Sequence, residues 1–132
     1  MTFKVNYNQE TDCIMVVVQG ELGLSLLQRI ADEVSAIIKR VGCSRILNDL
    51  REAKPTQITM DIYNMPEAAK QAGVSYVCRR ALVVTEETED FHFLETVFRN
   101  QGHQVKLFTN LENAKTWLFD NQVKKDELEK QR

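Results

Sequence analysis

Apolar and polar positions alternate at the start of the chain: Phe3, Val5 and Tyr7 are separated by Lys4 and Asn6, the period of a half-buried strand. A polar stretch from Asn8 to Asp12 follows, and then Cys13 to Gln19, rich in the β-branched side chains Ile14, Val16, Val17 and Val18. Two strands joined by so short a polar turn predict an antiparallel hairpin. The period then changes. Leu26, Ile30, Val34, Ile37 and Val41 recur at helical spacing, with Leu27, Ala31 and Ile38 widening the stripe. Ser25 with Gln28 fits a capping box, and Gly42 after Lys39 and Arg40 fits a helix stop, so a helix is expected over about 26–41.

Arg45-Ile46-Leu47-Asn48-Asp49-Leu50-Arg51 reads as a short strand, expected to be central in its sheet and entered from the helix by a right-handed crossover. Glu52 to Thr56 reads as loop, with Lys54 biased to extended geometry by Pro55. Ile58, Ile62 and Met65 share a helical face that Pro66 is expected to break, with a second short helix from Glu67 to Ala72 ended by Gly73. Arg79 to Thr85 has the apolar centre of a strand covered on both faces. The acids Glu86, Glu87, Glu89 and Asp90 suit the start of a helix carrying Phe91, Leu94 and Phe98. Gln104 to Phe108 is the last strand, and Asn110 caps a helix bearing Leu111, Ala114, Trp117 and Leu118. The order β-β-α-β-α-β-α-β-α predicts an α/β domain over 1–119, with one mixed, mostly parallel sheet of about five strands and about four helices. Residues 120–132 are mostly charged and are expected to be a frayed helix or disordered.

Composition narrows the function classes. A net charge of −2, with acids and bases interspersed and no basic stripe among aromatics, gives no ground for nucleic-acid binding. The N-terminus lacks an apolar leader and no apolar run reaches membrane-spanning length, so a cytoplasmic protein without membrane insertion is expected. Cys13, Cys43 and Cys78 are odd in number and lie at no zinc-ligand spacing, which reads as reduced, buried thiols rather than disulfides or a metal site.

His92 and His103 belong to no Ser/His/Asp, Cys/His or His-x-x-x-His pattern; His103 reads as a solvated turn residue and His92 as a partly exposed helix residue. Gly20 and Gly23 fit neither a P-loop nor a dinucleotide fingerprint. No cofactor, metal or catalytic residue is therefore expected. Asp49 stands where loops and ligands meet in open α/β sheets, the end of a parallel strand. With Asn48 and Arg51 it could form a polar site, against the ordinary role of ordering the next loop. Thr56 and Thr59 are helix-start residues whose usual task is capping, although phosphate there would meet free N–H groups and the helix dipole. Ile62 and Tyr63, with the nearby methionines, form a soft surface suited to core packing, a partner, or a lid over an apolar pocket.

The chain resembles the STAS/SEC14-like group related to the sporulation anti-anti-sigma factors, and within it an uncharacterised bacterial branch. The resemblance rests on Ile46-Leu47-Asn48-Asp49-Leu50-Arg51, on Arg80-Ala81-Leu82-Val83-Val84, and on the closing run Val105 to Leu118 with its cap, Glu112, Ala114 and Trp117-Leu118. It implies strands in sequential order, the first antiparallel at the edge. Regulatory members carry a phosphorylatable Ser or Thr after the Asp-ending strand, commonly in Asp-Ser-Ser/Thr-Gly. Here Leu50-Arg51-Glu52-Ala53-Lys54-Pro55-Thr56 stands in that place, and Thr56 or Thr59 only approximates the site. The expected role is a non-catalytic regulatory or interaction module, binding a protein partner or small ligand near Asn48, Asp49, Arg51, Thr56, Thr59, Ile62 and Tyr63. A carrier of a small lipophilic ligand is the alternative, and an enzyme using Asp49 with His92 or a thiol is the weakest reading. A homodimer would cover an open sheet face.

Overall fold

β1 (Thr2–Asn8) and β2 (Cys13–Leu22) form the expected hairpin, paired antiparallel from Thr2 with Gln19 to Asn8 with Cys13. Its turn is closed by the Asn8 side chain, whose Oδ1 accepts from the backbone N–H groups of Glu10 and Thr11. The structure, a computed structural model, describes residues 2–120. All of the expected charged tail except Asp120 therefore lies outside the described residues.

The remaining elements follow in order: α1 (Leu24–Val41), β3 (Arg45–Pro55), α2 (Thr59–Ala72), β4 (Arg79–Val83), α3 (Glu89–Asn100), β5 (Gln104–Phe108) and α4 (Leu111–Leu118). The strands lie in one sheet in the order β1-β2-β3-β4-β5; β1 is antiparallel and every later pairing is parallel. The fold class, the strand order and the central place of β3 are as the sequence implies. Alternate residues of each strand face opposite layers. Ile14, Ile46 and Leu82 pack beneath α1, α2 and α3, whereas Cys13, Leu47, Ala81 and Val83 pack against Ala114 and Leu118 of α4.

Several local expectations are corrected. β3 continues to Pro55 instead of ending near Leu50, because Ala53 and Pro55 are buried between exposed Glu52 and Lys54, the period of a strand with a charged outer row. α1 begins one residue before Ser25: Gly23 is its N-cap in extended geometry, its carbonyl accepting from Leu27 N–H, so the hydroxyl of Ser25 makes no cap bond. α2 runs unbroken through Pro66. The proline removes one intrahelical donor, but Ile62, Met65 and Pro66 are all buried, and this packing holds the helix together.

His103 is not a solvated turn residue. It is 4% exposed, edge-on to Phe98 and Tyr76, with its Nδ1 hydrogen-bonded to the guanidinium of buried Arg80. The Gly102 turn places the imidazole over the edge of the core instead of outside it, since His103 N–H is already tied to the Phe98 carbonyl. Burial, and then the charge of Arg80, hold His103 down to about 4, so it is neutral at physiological pH.

Two consequences can be measured. Gly73 ends α2 at φ +113°, and a Cβ there would stand 2.2 Å from Ser35 Oγ of α1; at Gly42, φ +74°, a Cβ would meet open space. Gly42→Ala is expected to cost about 1 kcal/mol for the left-handed backbone alone. Gly73→Ala should cost clearly more in the same denaturant titration, because the Ser35 hydroxyl must turn away and Ser35 Cβ, 3.2 Å off, must give as well. As for pH, the unfolded chain protonates His103 near 6.5 and the folded chain near 4. Stability from this group is therefore complete above about pH 7, is lost as pH falls through this window, and is constant below it. Unfolding at pH 7.5 and pH 5 should differ by on the order of 2 kcal/mol. His103→Gln, which has no such titration, should remove that slope.

Candidate functional site

β3 pairs with β2 as far as Pro55, opposite Leu22, but with β4 only as far as Asp49, opposite Val83. A register irregularity between Val17 and Gln19 lets β2 and β3 run on together while β4 ends. The chain then leaves the sheet through 84–88 and turns into α3. Between the overhanging part of β3 and this turn lies a cleft of about 670 Å³. One wall carries Arg51, Glu52 and Lys54; the other carries Thr85, Glu86, Thr88 and Asp90, with Phe91 at its apolar side. This is the carboxyl end of the parallel strands, where open α/β sheets place their ligands.

Small polar contacts fix the walls. Thr85 Oγ1 donates to the Arg51 carbonyl at 3.2 Å, tying the turn to the β3 overhang. Gln57 Nε2 donates to Asp90 at 3.2 Å and straps the approach to α2 onto the start of α3. Thr88 caps α3 by accepting from Phe91 N–H, and Glu89 and Asp90 occupy the first turn where the helix dipole favours acids.

Asp49 is half-buried at the edge of this cleft, beside a smaller hollow of about 260 Å³ that shares Arg51 and Glu52. Arg51 grips it with Nε at 2.9 Å from Oδ1 and Nη2 at 2.8 Å from Oδ2, and Arg51 N–H adds a third bond at 3.2 Å. These bonds hold the Asp49 carboxyl below the usual carboxylate range. A carboxylate so occupied clamps the strand end; it is a poor proton acceptor for a substrate.

The other residues singled out from the sequence are dispersed. Asn48 faces the opposite side of the sheet, donating to the Ala81 carbonyl at 3.4 Å and lining small interior cavities. Thr56 is buried, its Oγ1 accepting from Ile58 N–H and its N–H donating to the Leu22 carbonyl. Thr59 is exposed in the first turn of α2. Ile62 is core, and Tyr63 is exposed and edge-on to Phe93 at 5.5 Å. Thr85, Glu86, Thr88 and Asp90 were missed as site residues. The acidic run explained itself as a helix start, and only the parallel neighbourhood of β3 and β4 shows that it faces Arg51 and Lys54.

The thiols of Cys13, Cys43 and Cys78 are buried and unpaired, and burial raises the pKa of each, that of Cys13 to about 11. His92 is exposed beside Glu87 at 3.3 Å and Glu95 at 3.8 Å. Among the described residues no cluster of His, Cys, Asp or Glu could hold a metal, and no helix is long and apolar enough to cross a membrane.

No protein-family model matches the chain, and no curated protein does. Solved structures do match. SpoIIAA, an anti-sigma factor antagonist, in its unphosphorylated form is 13% identical with a TM-score of 0.55, covering 86% of this chain and 94% of that one. The phosphorylated form of SpoIIAA from Bacillus, a cell fate determinant, gives 13% and 0.53 over 85% and 96%. An uncharacterised protein of Shewanella loihica PV-4, from the DUF3478 family and with a SpoIIAA-like fold, is 14% identical with a TM-score of 0.57, covering 89% and 92%. With the sequential strand order and the antiparallel first strand, these likenesses show that the chain has the SpoIIAA-like, or STAS, fold.

Proposed function

We propose that this chain is a non-catalytic interaction module that receives an extended segment of a protein partner in the cleft beside the β3 overhang. The observation that carries the reading is the asymmetric pairing of β3. From Leu50 to Pro55 its β4 side has no strand partner among the described residues. Unpaired backbone groups at a strand edge are a template for an incoming strand. The walls add selectivity: with Arg51 paired to Asp49, Lys54 stands among Glu21 and Glu52 on one side and Glu86 and Asp90 on the other. This excess of acids favours a segment carrying basic side chains. SpoIIAA, which shares the fold, is an anti-sigma factor antagonist. The reading extends to this chain only the broad class of that role, action through another protein. Of the two threonines, exposed Thr59 is the better placed for a phosphate switch; Thr56 would have to leave its buried hydrogen bonds first.

A carrier of lipid-sized ligands requires a compartment of several hundred Å³, whereas the interior cavities measure about 60 and 50 Å³. The cleft therefore leads.

Photo-crosslinking in cells, with the reactive group at position 54 and a control at Lys106, reads the site directly. Adducts are expected at 54 only, and Glu86→Lys should abolish them without changing the melting temperature. Equal adducts at 106, or none at either position, would overturn the reading. Asp49→Asn is expected to lower the melting temperature while leaving adducts at 54 in place. Loss of adducts from a fully stable variant would instead put Asp49 in the contact surface.

A further inference from the structure

We propose a second site, inside the three-helix layer, that binds a short aliphatic monocarboxylate of roughly two to four carbons with Arg80 as its counter-charge. Arg80 leaves β4 toward α1, α2 and α3 and is 7% exposed. Its guanidinium lies 5.2 Å from the centre of the Phe98 ring, and Nη2 is bonded to His103 Nδ1. Its Nε is buried and has no hydrogen-bond partner, and Arg80 makes no ion pair among the described residues. A buried cation ordinarily has an anion beside it, since desolvation without a counter-charge is costly. His103 does not supply one. Burial and the charge of Arg80 hold its imidazole neutral.

The space beside the guanidinium sets the class of anion. Cavities of about 60 and 50 Å³ meet at Arg80 and Asn48 and share Leu27 and Ile30. Opening onto each other at the guanidinium, the two have room for a few water-sized groups and none for a lipid-sized tail. Apart from Arg80 and Asn48 the lining of the larger is aliphatic or aromatic: Val18, Leu22, Leu82, Leu94 and Phe98 among others. A spherical inorganic anion would find one donor and a wall of hydrocarbon. A carboxylate with a short alkyl tail fits both halves, one oxygen on Nε–H and the tail against Leu27, Ile30 and Leu94. The site lies under the helices and does not depend on the cleft beside β3.

The test uses the full chain, dialysed and then titrated with sodium butyrate or sodium chloride at matched sodium, reading the melting temperature and the arginine ¹⁵Nε–H resonances. Butyrate is expected to raise the melting temperature saturably and to shift one protected Nε–H signal, with no such response to chloride. Arg80→Met, which substitutes an apolar side chain for the buried cation, should abolish the response. Leu27→Phe, which keeps the arginine but fills the space, should weaken it at least tenfold. An equal response to chloride, a response retained in Arg80→Met, or no response from the folded wild type would each overturn the proposal.

Discussion

The backbone pairing of β3 is the constraint on which the rest of the architecture depends. A parallel strand must satisfy its N–H and C=O groups on both sides. β3 does so against β2 along nearly its whole length, but against β4 only from Arg45 to Asp49. β4 does not follow further: it ends at Val83, Val84 N–H bonds to the Phe108 carbonyl on the β5 side, and the chain turns toward α3. The sheet therefore splits at Asp49, and the split is the cleft. Asp49 sits at the fork, and its three bonds from Arg51 fix the direction in which the overhang leaves. Thr85 then satisfies one orphan carbonyl on the far side.

The sequence shows the frame well, for a definable reason. Where one face of an element is covered and the other wet, half-covered in β1 and buried in α1, the period of apolar positions is the fold written directly. Order and type of element follow from such periods, and the sheet topology from their alternation. The overhang is harder to see because Glu52 and Lys54 look like loop and Pro55 looks like a breaker. Their alternation with Ala53 is only three residues of strand pattern, and its partner is the equally charged end of β2. The cleft inherits that difficulty: its two walls are some thirty residues apart in sequence, and nothing local marks Glu86 as facing Lys54.

Arg79 and Arg80 show where residue type misleads. They look like the polar borders of an apolar strand, yet all five residues of β4 are buried. They point to opposite layers. Arg79 lies over Trp117 and donates to its carbonyl at 2.6 Å, supplying a cation and a donor at the C-terminal end of α4, where helix carbonyls lack partners. Arg80 goes the other way, over Phe98 and onto His103. Each guanidinium thus lies against an aromatic face and each stem spans apolar surface, which arginine tolerates better than any other charged side chain. The sign that could have been read is phase: Arg80 shares its face with Leu82, a core position.

These two levels bear differently on function. A likeness of 13–14% identity shows the fold, whereas the split at the end of the third strand is where β3 outruns β4 in this chain. The charges on its walls do not travel with the frame; they are properties of this chain's own side chains, and a site is argued from its residues and not from its fold. Asp49 illustrates the difference. Its position at the strand end is topological, but its chemistry is set by Arg51 two residues on, which occupies both carboxylate oxygens and turns a half-buried acid into a clamp on the strand end. A chain of the same fold with a smaller residue at that place would present a free carboxylate at the mouth of the cleft. Here both oxygens are taken, and what lies open along the cleft is the β4 side of the β3 overhang, with Lys54 on one wall and Glu86 on the other.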